Sequence, residues 1–243
     1  MTPEVSSRPA ARPSALRALD GEIVECRACP RLVEWREQVA VEKRASFRAE
    51  TYWGRPVPGF GDPQARVLVA GLAPAAHGAN RTGRVFTGDR SGDFLYASLF
   101  RTGFANQPTS VSADDGLRLR DLYITAAVRC APPANKPTPV ERDTCLPYFQ
   151  RELDLLDRVG VIVVLGAFAY EATARALAAA GSPLPTPRPR FTHRLEVPTA
   201  RAIVVGCFHP SQQNTFTGKL TEPMIDDVFL RARALAEAVP SRP

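Results

Sequence analysis

No run of apolar residues in this 243-residue chain reaches membrane-spanning length. Its start, Met1-Thr2-Pro3-Glu4, lacks the charged-then-apolar order of a secretory leader. Neither a Gly-x4-Gly-Lys-Ser/Thr loop nor a Gly-x-Gly-x-x-Gly turn occurs, which removes the two commonest nucleotide-phosphate cradles. These absences lead us to expect a cytoplasmic protein with no membrane partner. Disulfides are disfavoured in that compartment, so the five cysteines ask for another explanation.

What is present suits one large core, with 44% hydrophobic residues, in a chain long enough for a single domain. Net charge is +6, a balance that fits a polyanionic partner. Residues 1–13, rich in Pro, Ser and Ala, read as a flexible tail ahead of one domain over 14–243. Residues 14–45 read as helical, broken at Cys26–Pro30. Four short β-branched runs follow, Arg66–Gly71, Asp121–Val128, Val159–Gly166 and Arg201–Gly206, as buried parallel strands should look. Helical patterns over Ser91–Phe104, Pro139–Arg158, Ala167–Ala180 and Glu222–Ala238 alternate with them. This order predicts an α/β fold, a three-layer α/β/α sandwich on a four-stranded parallel sheet. Arg190–Val197 alternates apolar residues and predicts an extra edge strand.

Polar clusters fall where such sheets bind ligands, beyond the carboxyl ends of the strands. Gly71–Asp89 is a Gly-rich loop holding Ala73, Pro74, His77, Phe86 and Asp89. The second strand is followed by a run with Cys130 and Asn135, the fourth by His209-Pro210-Ser211-Gln212-Gln213-Asn214. Parallel topology predicts that these loops converge on one cleft. Cys26 and Cys29 form a CxxC pair, and with Cys130 and Cys145 they suit zinc or an iron–sulfur cluster. A redox pair plus two buried thiols is the alternative. Cys207, on the last strand, reads as an inert core thiol.

The segments GLAPAAHGANRTGRVFTGD, CRACPRL, VRCAPPANKPTP and HPSQQNTFTGKLT stand in one order in one chain. Together they resemble the uracil-DNA glycosylase superfamily, specifically its family 5 enzymes, over about residues 20–235. The resemblance implies an α/β/α sandwich with a 4Fe-4S cluster on Cys26, Cys29, Cys130 and Cys145. It departs from the iron–sulfur family 4 pattern at Leu72, where that family is acidic, and at Ala126, where it has Asn. Both departures are those of family 5.

The implied activity is a monofunctional glycosylase acting on DNA that contains uracil or other deaminated bases, hypoxanthine included. Asp89, His209 and Asn135 are then the expected catalytic residues, and Gly71, Ala73, Pro74, His77 and Phe86 the substrate-binding ones. Ser211, Gln212, Gln213 and Asn214 are expected against DNA. Each has a plainer reading: Asp89 as a helix cap, His209 and Phe86 as core residues, Asn135 as a turn residue. A non-catalytic iron–sulfur protein that binds nucleic acid is the second functional expectation. A monomer is expected, since nothing in the pattern suggests an obligate interface.

Overall fold

The computed structural model describes residues 8–238. A six-stranded sheet runs through the centre. Its strands are β1 (Phe60–Gly61), β2 (Val67–Gly71), β3 (Leu122–Ala126), β4 (Val161–Leu165), β5 (Glu196–Pro198) and β6 (Ile203–Cys207), in the order β1-β3-β2-β4-β6-β5. The inner four are parallel and both edge strands are antiparallel.

Every residue of β2, β3 and β4 is buried, as continuous β-branched runs demand when both faces of a sheet are covered. Alternate residues go to opposite layers. Val67, Val69, Ile124, Val163 and Val205 pack with Leu95 and Leu99 of α4 (Arg90–Arg101) and with Ile225 and Phe229 of α8 (Glu222–Ala238). Leu68, Ala70, Tyr123, Ile162 and Val204 pack on the other face. Their partners are Leu16 of α1 (Arg8–Val24), Phe149 and Leu153 of α5 (Pro139–Leu155), and Leu177 of α6 (Ala167–Ala179).

The expected three layers and four parallel strands are all found. Differences lie at the margins. The edge strand expected over 190–197 is a ladder only at Glu196–Pro198, because Arg194 takes φ 61° and breaks the extended path. The other edge strand, β1, was too short to leave a period in the sequence. Of the tail expected over 1–13, residues 1–7 lie outside the described residues. Residues 8–13 are the first turns of α1, with Pro9 in the opening turn, where its missing amide has no helical partner to lose.

The N-terminal helices are α1 and α2 (Pro30–Glu42), with Cys26–Cys29 between them and Pro30 at the first helical position. Two loops expected to be irregular hold short helices, α3 (Ala79–Thr82) and α7 (Gln212–Phe216). The connection from β2 runs to one side of that strand and the one from β3 crosses back to the other. The sheet therefore has its switch point beside β2, and a crevice opens at the carboxyl ends of the strands there.

Candidate active site

The loop after β2 leaves the sheet still tied to it: Val128 N–H donates to the Leu72 carbonyl at 3.1 Å. Phe86 then returns over Gly71, where an added Cβ would stand 2.7 Å from the ring, so residue 71 must lack a side chain. Phe86 holds φ 51°, an unusual backbone for an aromatic residue, and one that places it under strain. Its carbonyl lies against Gly92, where a Cβ would stand 1.7 Å away. Gly92 thus lets the start of α4 close onto the loop.

Asp89 ends the loop as the N-cap of α4. Its Oδ1 accepts from Ser91 N–H at 2.9 Å and Gly92 N–H at 3.0 Å. Oδ2 has no hydrogen-bond partner among the described residues. Burial raises the Asp89 pKa, and the two capping amides pull it back only in part.

His209 follows β6 and stands beside Gly166, whose φ of +93° lets β4 turn away beneath it. Asn214 braces the same turn, donating from Nδ2 to the His209 carbonyl at 2.8 Å. Neither ring nitrogen of His209 is bonded within the described residues. Burial pushes its pKa down to about 4, so the imidazole is neutral near pH 7. Its ring lies 6.0 Å from that of Phe86, tilted by 37°.

These groups line one cavity of about 570 Å³. Leu72, Ala73 and Ala75 form part of its wall, with Phe86, Asp89, Arg90 and Ser91 beside them. Asn135 enters from the loop after β3, and His209, Ser211, Gln212 and Gln213 from the loop after β6. Asn135 is exposed and holds φ 55°, next to Ala134 at φ 53°, a conformation that asparagine tolerates.

Four expected site residues stand elsewhere. Gly71 lies beneath Phe86 and Pro74 is buried behind the wall. Asn214 supports the His209 turn, where Ser211, itself in the cavity wall, caps α7 by accepting from Asn214 N–H. His77 lines an adjoining groove, since the α3 turn carries it away from the cavity. The sequence reading passed over Arg90, Ser91 and Ala75. The cap at Asp89 was the available signal for the first two, because the residues after an N-cap share its surroundings.

Cys26 and Cys29 flank the α1–α2 turn, Cys130 follows β3, and Cys145 lies on α5. All four are free thiols, and Cys130 and Cys145 share a small buried cluster with Leu32 and Val128. Burial takes the Cys130 thiol up to about 12 and that of Cys145 to about 11, with the charges of the neighbouring cysteines adding to the rise. Arg36, itself buried, donates from Nη1 to Cys130 Sγ at 3.5 Å. Among the described residues no three His, Cys, Asp or Glu gather to hold a metal ion. Four thiols free of disulfides, two of them buried and one of these beside the Arg36 guanidinium, are the donor chemistry that an iron–sulfur cluster uses. Cys207 is buried in the core on β6, apart from these four.

The model of the uracil DNA glycosylase superfamily matches residues 58–233. The chain therefore belongs to the uracil DNA glycosylase superfamily. Within it, the chain is 55% identical over 220 residues to the type-5 uracil-DNA glycosylase of Mycobacterium tuberculosis, covering 90% of this chain and 81% of that protein. The type-5 enzyme of Mycobacterium leprae is 53% identical over 90% of this chain and 94% of its own. That of Thermus thermophilus is 51% identical over 88% and 95%.

Proposed function

We propose that this chain is a monofunctional DNA glycosylase that hydrolyses the N-glycosidic bond of deoxyuridine and leaves an abasic site. The observation that carries the reading is the meeting of an unpartnered neutral imidazole, an unpartnered buried carboxylate oxygen and an aromatic face in one cavity. Relatives named as type-5 uracil-DNA glycosylases at 51–55% identity support the choice of uracil.

The glycosidic bond is out of reach inside a duplex, so the nucleotide is flipped into the cavity at a cost of a few kcal/mol. Phe86 offers the stacking face, worth ~1–3 kcal/mol for a base on an aromatic ring. As C1′–N breaks, the bonding pair goes to the base and positive charge grows on the sugar. Neutral His209 donates a hydrogen bond to the base oxygen that gains charge. Asp89 Oδ2 faces the sugar, stabilises the cation and takes a proton from the water whose oxygen joins C1′. Its raised pKa makes it a better base than an ordinary carboxylate. Asn135, at the cavity edge, orients the base or that water.

With Leu72 apolar in the cavity wall and Ala126 apolar at the end of β3, fewer polar groups read the base edge. A site with few hydrogen-bond demands rejects few analogues, and we extend the proposed range to other deaminated bases such as hypoxanthine. Cys26, Cys29, Cys130 and Cys145 are proposed to hold a 4Fe-4S cluster. When bound it would fasten the α1–α2 turn to α5 and to the loop carrying Asn135. One chain supplies every residue of the cavity, so a monomer is the proposed acting unit, in the cytoplasm with its DNA.

The test is release of base from duplexes carrying one uracil, hypoxanthine, xanthine or hydroxymethyluracil, scored by alkaline strand breakage. Breakage at uracil is expected. Tight binding of the duplex with no base release, even at high protein concentration, would favour a non-catalytic DNA-binding protein instead.

A further inference from the structure

Beside the cavity runs a second groove of about 470 Å³, continuous with it through Ala75, Asp89, Arg90, Asn135 and Gln212. Its far wall is Arg44, Phe47 and His77. Arg44 and Phe47 precede residue 58, where the superfamily match begins, so two of the three wall residues come from outside the matched region. Buried Arg81 fixes it in place. Its guanidinium lies 4.0 Å over the Phe47 ring, pairs with Glu50, and donates to the carbonyls of His77 and Gly88.

His77 is tied to Tyr52 through its Nδ1. The buried Tyr52 hydroxyl accepts from Arg44 N–H at 3.4 Å and stands 3.0 Å from His77 Nδ1. The hydroxyl keeps its own proton while accepting that N–H, and where it gives this proton to His77 the acceptor is Nδ1. Nδ1 is then bare and the neutral ring carries its proton on Nε2. That N–H has no partner among the described residues.

Charge at the groove points the same way. Arg44 and Arg90, both lining the groove, make no ion pair among the described residues. Arg90 instead lies 5.3 Å over the exposed Phe216 ring. Asp89 and Asp93 also line the groove, Asp93 next to Arg90. Two unpaired guanidinium groups and a fixed N–H donor, opening directly from the base cavity, suit the backbone of a strand whose base is already in that cavity.

We propose that this groove is a phosphodiester subsite for the nucleotide next to the flipped one, with His77 Nε2–H and Arg44 on a phosphate oxygen and Tyr52 as the positioning residue for His77. The inference rests on the proposed DNA substrate, but its test is separable from base release.

Binding is measured by fluorescence anisotropy on duplexes with a fixed abasic analogue, each carrying one neutral methylphosphonate at a different position beside it. For the unaltered protein, one position should weaken binding roughly tenfold, as for a hydrogen bond to a charged group. His77→Ala should show the same loss with the all-phosphate duplex and no further loss with that methylphosphonate. Tyr52→Phe should reproduce part of this coupling, which a purely packing role for Tyr52 does not. Arg44→Ala, at an exposed position, should lower the salt slope of binding by about 1.

Losses from His77→Ala and from the methylphosphonate that simply multiply would overturn the subsite, as would the absence of any sensitive position together with an unchanged salt slope. Coupling seen in a protein that releases no uracil would sink the glycosylase reading and keep the subsite. Uracil release without coupling would do the reverse.

Discussion

Gly78 lies so close to Asp89 that a β-carbon on residue 78 would stand 2.1 Å from Oδ2, the carboxylate oxygen the helix cap leaves free. The backbone at Gly78 sits at φ −101° and ψ −107°, outside the regions L-residues favour, so a side chain there adds backbone strain to the steric push. Gly78→Ala should lower the melting temperature and push the carboxylate aside. Displacing a reacting group by about 1 Å costs about a hundredfold in rate, and kcat for uracil release by the folded variant should fall by that order. An unchanged kcat would mean that Oδ2 does not work where it stands.

The cap and the chemistry at Asp89 separate by substitution. Asparagine caps as well as aspartate, whereas alanine loses ~1 kcal/mol of helix stability. Asp89→Asn should therefore melt at or above the temperature of the unaltered protein, since burial already disfavours its charge. Asp89→Ala should melt lower, and both should lose base release. Equal melting temperatures for the two variants would contradict the cap.

His209 carries a pH signature with a definite sign. Its folded pKa of about 4 lies below the ordinary histidine value of 6.5. Above pH 6.5 both folded and unfolded chains hold it neutral, and its contribution to stability is complete. Between 6.5 and about 4 the unfolded chain takes up a proton that the folded chain refuses, so that stability is lost as pH falls. His209→Gln should flatten this part of the melting-temperature profile. It should also lower kcat by ~10²–10³, the usual loss for one hydrogen-bond donor to developing charge. Asp89 acts on the acid limb of the rate profile, which should rise with pH through a midpoint above the ordinary carboxylate value of 3.8.

Phe86 offers an inversion of a familiar order. Glycine is ordinarily less stabilising than alanine by about 0.5–1 kcal/mol. At φ 51°, glycine is the relaxed residue, so Phe86→Gly should melt no lower than Phe86→Ala. Both should weaken binding of the flipped base. The usual order, with alanine clearly higher, would show that the backbone at 86 relaxes once the ring is gone.

The cysteine quartet has a spectroscopic test. Purified protein should be brown, with iron and acid-labile sulfide, and Cys29→Ser or Cys145→Ser should bleach it and lower its melting temperature. Colourless protein holding stoichiometric zinc would contradict the cluster.

Much of this architecture was legible in the residues. The inner strands announce themselves by β-branched runs, and all four fall within the stretches read from the sequence or one residue beyond. Convergence of Phe86, Asp89, Asn135 and His209 follows from parallel topology alone, and it is found. What was not legible depends on contacts between distant segments. Nothing near His77 in sequence says that α3 would swing it into a separate groove opposite Arg44, or that Tyr52 would meet its ring. Nor does local pattern show that Gly71 and Gly92 are small so that Phe86 can lie between them. The double duty of Asp89 was half visible: its place before α4 marks a cap, but only the fold shows which oxygen remains.

The most direct test compares single-turnover uracil release from a duplex by the unaltered protein and by Asp89→Asn, with DNA affinity measured alongside. The unaltered protein should empty the site and leave alkali-labile DNA, while Asp89→Asn binds the same duplex comparably and releases base at least a hundredfold more slowly, about the rate lost when a reacting group is misplaced. Equal release rates for the two would contradict the role given to the free carboxylate oxygen, and no release by either would contradict the glycosylase itself.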